Sequence, residues 1–286
     1  MKRNIIYILG ICTLLLANAS CKKEDTGGSG TKAVFSYVAD GYKVNFTNFS
    51  SNATEYLWDF GDGSNVTSTL KSPLHVFKQK GDFLVSLTAK SGAETSTFID
   101  TVSVIGPNIK IDGDFSDWEY VSFSYENDPA YVSSMRSIKT FASSDYIFFY
   151  IEGTTDMKMD ILDIYLDGDN NPATGFNTYL YPAGSGADFL FEGSPSAGWG
   201  DAFTHSGPVT AFSWTPFASF ADVMTISPVK TSAGKNIIEF SIKKSALGTT
   251  SKFINFGMVE STSGWAEIGK MPAAGTPDSK FLAVPL

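Results

Sequence analysis

The chain has 286 residues, 30 acidic against 21 basic, for a formal net charge of −9, with 43% hydrophobic and 14% aromatic content. So much apolar material excludes a disordered chain. The acidic balance, with arginine only at positions 3 and 136, excludes a nucleic-acid binder, because phosphate backbones are held by clustered cations. Two histidines are too few for a multi-histidine zinc centre.

The first 20 residues have the layout of an export signal. Lys2 and Arg3 precede an apolar stretch from Ile5 to Leu16, and the small residues Ala17, Ala19 and Ser20 close it. The stretch is too short to span a bilayer. Cys21 follows directly and leads into Lys22-Lys23-Glu24-Asp25. This ending resembles a bacterial lipoprotein box, with Asn18 where that pattern usually has Leu, and the resemblance implies lipid attachment at Cys21. Cys-Lys-Lys-Glu-Asp also resembles the signal that sends lipoproteins to the outer face of the outer membrane in certain Gram-negative glycan-degrading bacteria. That implies membrane contact through the lipid alone, and surface enzymes or importers as neighbours. Two alternatives stay open: anchoring that faces the periplasm, and cleavage after Ala17-Asn18-Ala19 to give a soluble protein starting at Ser20. With the leader removed, 19 basic residues face 30 acids, a formal charge of −11. Cys12 leaves with it, so one cysteine remains, no internal disulfide can form, and the domains must be held by their cores. Residues 21–31 are polar and glycine-rich, a flexible tether with a reach of roughly 20 Å.

From Ala33 the pattern becomes period two. Tyr42, Val44 and Phe46 alternate with Lys43, Asn45 and Thr47, and Phe83, Val85 and Leu87 with Leu84, Ser86 and Thr88, so these segments are strands with one face in a core. Turn clusters at Asp40-Gly41, Gly61-Asp62-Gly63, Lys80-Gly81 and Ser91-Gly92 are spaced as in a small β-sandwich. The run Trp58-Asp59-Phe60-Gly61-Asp62-Gly63, followed by Ser72-Pro73-Leu74-His75-Val76-Phe77 and Gly81-Asp82-Phe83, resembles a PKD domain over residues 32–105. The resemblance implies that Trp58, Asp59, Asp62 and His75 are scaffold.

Gly106-Pro107-Asn108 punctuates the chain, and residues 109–286 form a second unit without a helix-period stretch. Its candidate strands are 137–142, 146–152, 161–167, 187–192, 209–214, 236–242 and 253–260. The fold class is all-β, with two β-sandwich domains, the second the larger. Ile111-Asp112-Gly113-Asp114-Phe115-Ser116-Asp117-Trp118 resembles the start of the DOMON-like domains that include family-9 carbohydrate-binding modules. Asp145 to Tyr150, Asp163 to Asn171, Thr174-Gly175, Gly186 to Phe189, Ile238-Glu239-Phe240 and Phe256-Gly257 before Trp265 follow in the order of that family. The resemblance implies a non-catalytic module for polysaccharide or oligosaccharide with a structural Ca²⁺, on a fold that also hosts haem and other ligands.

Asp167, Asp169 and Asn171 stand at positions one, three and five of an oxygen-rich loop, the opening of a calcium pattern, with Asp188 as an extra candidate ligand. The loop is not an EF-hand, since Pro172 occupies the sixth position and Thr178 the twelfth; a metal-free hairpin turn reads equally from these residues. Sugar rings are gripped by flat aromatic faces beside carboxylates and amides. Trp199 and Trp265, both after glycine in predicted loops, suit that role, with Asp201, Glu267 and Asn177 as nearby hydroxyl partners. Trp118 and Trp214 read as core. No nucleophile elbow, zinc motif, marked carboxylate pair or haem pocket around His205 stands out, so a non-enzymatic reading is preferred. The alternatives are a structural or adhesive surface protein contacting other proteins, or an accessory part of a glycoside-processing system.

Overall fold

The computed structural model describes residues 30–248 and 251–286; Cys21 and the rest of the predicted leader and tether to residue 29 lie outside the described residues. The chain is all-β and forms two sandwiches.

In the first, β1 (Phe35–Asp40), β2 (Lys43–Asn48) and β5 (Leu74–Val76) make a three-stranded sheet. It faces a four-stranded sheet, ordered β4-β3-β6-β7, of β3 (Glu55–Asp59), β4 (Thr67–Ser68), β6 (Gly81–Ser91) and β7 (Glu94–Val104). The alternation read from sequence is the burial pattern: Val44, Phe46, Phe83, Val85 and Leu87 point inward around a fully buried Trp58. Trp58 Nε1 is not left unsatisfied, donating to Leu70 O at 2.9 Å. Asp59 Oδ1 accepts from Gly61 N at 3.0 Å and Asp62 Oδ1 from Ser64 N at 3.0 Å. Gly61 needs to be glycine: its φ is +67°, and a Cβ there would lie 2.2 Å from Leu84 O. His75 lies flat on Phe60 at 3.9 Å with Nε2 2.8 Å from Asp62 Oδ2. The acidic turn motif is thus a set of structural bonds.

The second sandwich stacks a six-stranded sheet on a seven-stranded one. The first contains β8 (Tyr125–Glu126), β9 (Met135–Ala142), β10 (Tyr146–Gly153), β15 (Met224–Ile226), β16 (Lys230–Ser232) and β17 (Lys235–Lys243). The second runs β14-β13-β12-β11-β18-β19, with β20 also on β18: β11 (Ile161–Asp167), β12 (Phe189–Ser194), β13 (Trp199–His205), β14 (Trp214–Ser219), β18 (Phe253–Ser261), β19 (Glu267–Met271) and β20 (Leu282–Pro285). Between the sheets lie Ile147, Phe149, Ile238 and Phe240 against Leu162, Ile164, Phe191 and Met258. Strand β10 reads as unbroken apolar sequence because both its faces are covered. Segment 109–121 lies over its outer side, and Trp118 tilts against Tyr150 with ring centroids 5.6 Å apart.

Two fully buried glutamates fix the loops of this sandwich. Glu239 Oε1 accepts from Asp112 N at 3.0 Å and Gly113 N at 2.6 Å, and Oε2 from Trp118 Nε1 at 2.8 Å. The opening motif and the Ile238-Glu239-Phe240 landmark are therefore two halves of one clamp. Glu260 Oε1 accepts from Lys158 N at 2.7 Å and Met159 N at 2.8 Å, and Oε2 from Ser134 Oγ.

Two sequence expectations need correction. Residues 209–214 are not a strand, because Pro208 O accepts from Ala211 N at 2.8 Å and turns the segment; Trp214 opens β14 instead. Trp199 is not in a loop. Gly198, with φ +74°, closes the preceding hairpin, and β13 begins at Trp199 itself.

Candidate functional site: the outer face of the seven-stranded sheet

The pleat decides which side chains share a face. In β13, Ala202 points into the core, so Trp199, Asp201 and Phe203 point to the other side. In β12 and β11 the same parity sends Glu192 and Leu190, and Asp163 and Tyr165, outward. Strand register lines these up in rows. Asp201 is opposite Glu192, and Glu192 is opposite Asp163, so three carboxylates cross three adjacent strands. Below them Phe203, Leu190 and Tyr165 form an apolar row. It is roofed by the loop between β11 and β12, whose Phe176, Leu180, Tyr181 and Ala187 pack there with Trp214.

Above the carboxylates Ser194, Ile161 and Ser261 are buried, and exposure returns at the two flanks. Trp199, opposite Ser194, is 51% exposed at one flank. Ser261 ends β18 three strands away, about 14 Å at ~4.8 Å per strand. The hairpin that follows carries Trp265, 57% exposed, before Glu267. The two tryptophans thus lie at one end of one sheet, with Asp201 and Glu267 next to them. Trp265 has φ +64°, and its N–H donates to Thr262 O at 2.8 Å. A bulky residue in the left-handed region is a backbone outlier, held there at a cost of roughly 1–3 kcal/mol.

Electrostatically the carboxylate row is uncompensated. Burial, and then the charges of Glu192 and Glu267, push the Asp163 carboxyl up to about 7. Its Oδ1 is sealed from solvent without a donor. Glu192 is also raised, by burial. Among the described residues no ion pair reaches Asp163, Glu192 or Asp201, and Lys270 is committed to Glu267 at 2.6 Å. Sequence reasoning missed Asp163 and Glu192. The signal was there as lone acids at outward positions of otherwise apolar strands.

At the opposite end of the same sheet, Asp167, Asp169 and Asp188 bring one carboxylate oxygen each within 4.8 Å of one another. Asp167 Oδ1 accepts from Asn170 N at 2.7 Å and Asn171 N at 3.3 Å, and Oδ2 from Asn255 Nδ2 at 3.1 Å. Asp188 Oδ2 accepts from Gly168 N at 3.0 Å and Asp169 N at 3.2 Å. Burial raises the carboxyls of Asp167 and Asp188, and the neighbouring acid adds to each. Three hard oxygen donors at this spacing fit a Ca²⁺ ion. Asn171 Oδ1 instead accepts from Ala173 N at 3.1 Å, and Asn177 Oδ1 from Gly186 N at 3.1 Å. Both stabilise the roof loop.

Residues 33–105 match the family model of the PKD domain. Among solved structures, the PKD1 domain of the Vibrio cholerae metalloprotease PrtV is similar at 31% identity, over 26% of this chain and 96% of that one, with a TM-score of 0.25. The PKD1 domain of Vibrio anguillarum Epp is similar at 30% identity, over 27% and 96%, with a TM-score of 0.25. A structure described as one of the carbohydrate-binding modules from the β-sandwich superfamily aligns over 75% of this chain and 91% of that one, at 15% identity and a TM-score of 0.24. A search of curated proteins gives no match.

Proposed function

Because residues 33–105 are a PKD domain, we propose that it serves as the stalk of a carbohydrate-binding protein, whose second sandwich holds a glycan on its outer face between Trp199 and Trp265 without cleaving it. The observation that carries this reading is the placement of Trp199: half-exposed, at the same end of one sheet as Trp265, and beside a row of carboxylates on its own face. Aromatic rings supply stacking to pyranose C–H groups, and Asp201 and Glu267 accept from hydroxyls. The strained φ of Trp265 keeps a large ring at the rim. Asp167, Asp169 and Asp188 hold a Ca²⁺ that stiffens the far end of the sheet and has no part in recognition. Lipid attachment at Cys21 places the protein on the outer membrane, facing outward. Many anchored copies on one polysaccharide turn modest single-site affinity into firm capture for neighbouring enzymes or importers.

The test is binding of the full chain to a glycan array and to insoluble polysaccharides, with calcium and with chelator. One polysaccharide class is retained, Trp199→Ala loses at least tenfold in affinity, and no reducing ends are released. A folded protein that binds no glycan overturns the reading. Calcium raises the melting temperature by several degrees, and Asp188→Asn abolishes that shift. A second reading, contact with another protein, is favoured by the outer face of the PKD four-stranded sheet, where Leu57, Leu84 and Ile99 are exposed. Its mark is a captured protein partner that Leu84→Asp releases.

A further inference from the structure

Gly106-Pro107-Asn108 reads as a hinge, and relative motion is the default for two domains joined by a small interface. The structure has apolar contact there instead. The Tyr42 ring of the PKD domain meets the Phe141 ring edge-on, with centroids 6.4 Å apart. Phe141, Phe148 and Ile109 belong to one continuous buried cluster with Phe46, Trp58 and Val104. The linker is pressed against both domains. Gly106 has φ +84°, and a Cβ there would lie 2.8 Å from the Phe141 ring; a Cβ at Gly41 would lie 3.2 Å from Pro107 Cα. Lys80 Nζ donates to Ala142 O at 3.2 Å, and Lys43 Nζ stands 5.3 Å from the centre of the Tyr120 ring.

The joint also has a direction. Thr31 N donates to Glu94 Oε2 at 3.0 Å, so the described chain enters beside the first residue of β7, while Val104 at the other end of β7 leads into the linker. That strand has 11 residues, a length of about 35 Å at ~3.3 Å per residue. On the other side of the joint, Tyr42 and Lys80 share a cleft with Val284, Pro285 and Leu286. Pro285 is opposite Phe253, the first residue of β18, whereas the Trp265 hairpin follows Ser261, the last. Joint and tryptophan rim are at opposite ends of that strand.

We infer that the two domains form one rigid arm, fixed at the Tyr42–Phe141 joint, that carries the tryptophan rim at the end of the second sandwich turned away from the PKD domain. The inference stands whatever ligand the rim takes. A freely jointed pair would let the rim fold back toward the chain entry; a fixed joint holds it outward.

Spin labels at Lys90→Cys and Ser263→Cys, in the full chain with Cys12 and Cys21 replaced by serine, measure the separation by pulsed electron resonance. A label pair within the PKD domain, Lys90→Cys with Lys78→Cys, gives the width expected of a rigid body. The expected result is an inter-domain distribution less than twice that width, widening at least threefold in Phe141→Asp. Tyr42→Ser attacks the same contact from the other domain. An inter-domain distribution already several times wider than the reference overturns the inference, and this comparison decides even if neither variant folds. A narrow distribution that persists in a folded Phe141→Asp or Tyr42→Ser protein overturns the assignment of the joint to that contact.

Discussion

In the PKD domain the deeply placed carboxylate, Asp62, has His75 at 2.8 Å and the Ser64 N–H at 3.0 Å. In the second sandwich Asp163 faces Glu192 across the strand pair, with Glu267 nearby, and among the described residues no ion pair reaches it, Lys270 being paired with Glu267. Both lie in small all-β frameworks, so the difference does not come from fold class. Each buried polar group in the PKD turn is absorbed by the turn's own bonds. The outer face of the larger sheet instead keeps like charges directly opposite, an arrangement that destabilises a sheet. The same domain shows that it can satisfy carboxylates completely, since Glu239 and Glu260 each accept three hydrogen bonds in full burial. Crowded carboxylates thus lie on the face beside the tryptophan rim, and at the Asp167-Asp169-Asp188 cluster at the other end of the same sheet, where a ligand or an ion can complete them.

Removing a satisfied carboxylate is expected to change this difference most. Glu239→Ala orphans two backbone N–H groups and the Trp118 indole and frees segment 109–121 from the sheet. The expected loss is about 4 kcal/mol in denaturant unfolding, since buried bonds to a charged acceptor are worth ~1.5–3 kcal/mol each before non-additivity. A loss under 1 kcal/mol would mean that the clamp is not what holds the segment.

Asp163→Asn is expected to do the reverse, and only at high pH. The folded-state pKa stands at about 7, above the unfolded value. The folded protein therefore binds this proton more tightly, and the associated stability is full below about pH 4 and lost as the pH rises through 7. After discounting for solvent screening at a part-buried group, the parent loses about 2 kcal/mol between pH 4 and 8 that the variant keeps. Asp62 has the opposite sign. Burial alone would raise its carboxyl, but the bonds to Ser64 and His75 outweigh it and hold the pKa at about 2. Its contribution is present above about pH 4 and disappears as the pH falls toward 2, a change of about 1 kcal/mol that Asp62→Asn flattens. Unfolding curves of parent and variants across pH 2–8 check both signs. Parallel pH profiles for the two variants would erase the distinction between the domains.

Much of this was legible in the sequence, unevenly. The PKD strands announce themselves because one face is buried and the other is wet, so Phe83, Val85 and Leu87 alternate cleanly with their neighbours. The Asp-Gly turn was legible for a local reason, the positive φ at Gly61. Strand β10 gave no alternation because segment 109–121 buries its second face, and that cover comes from residues distant in sequence. At the candidate site, Trp199 and Trp265 were visible as glycine-flanked aromatics. Their shared end of one sheet was not, because it depends on the pairing β13-β12-β11-β18, which joins segments some 60 residues apart only through the sheet. Asp163 and Glu192 were hidden for the same reason: each is an ordinary outward acid until register places them opposite one another.

The smallest expected change in stability belongs to the residues with the largest expected role. Trp199 is half-exposed at a strand end, so Trp199→Ala should stay within about 0.5 kcal/mol of the parent while glycan affinity falls. Trp265 separates the two quantities further. Its φ of +64° is strained for an aromatic residue and comfortable for glycine. Trp265→Gly should therefore leave the β18–β19 hairpin as stable as before or stabilise it by about 0.5–1 kcal/mol, since relief of strain opposes the added unfolded-chain entropy. If the ring were a structural cap, removing it would cost stability as the buried aromatics of the PKD core do. A variant that melts no lower than the parent yet loses at least tenfold in glycan affinity would show that this position is kept for contact with a ligand at the expense of the fold.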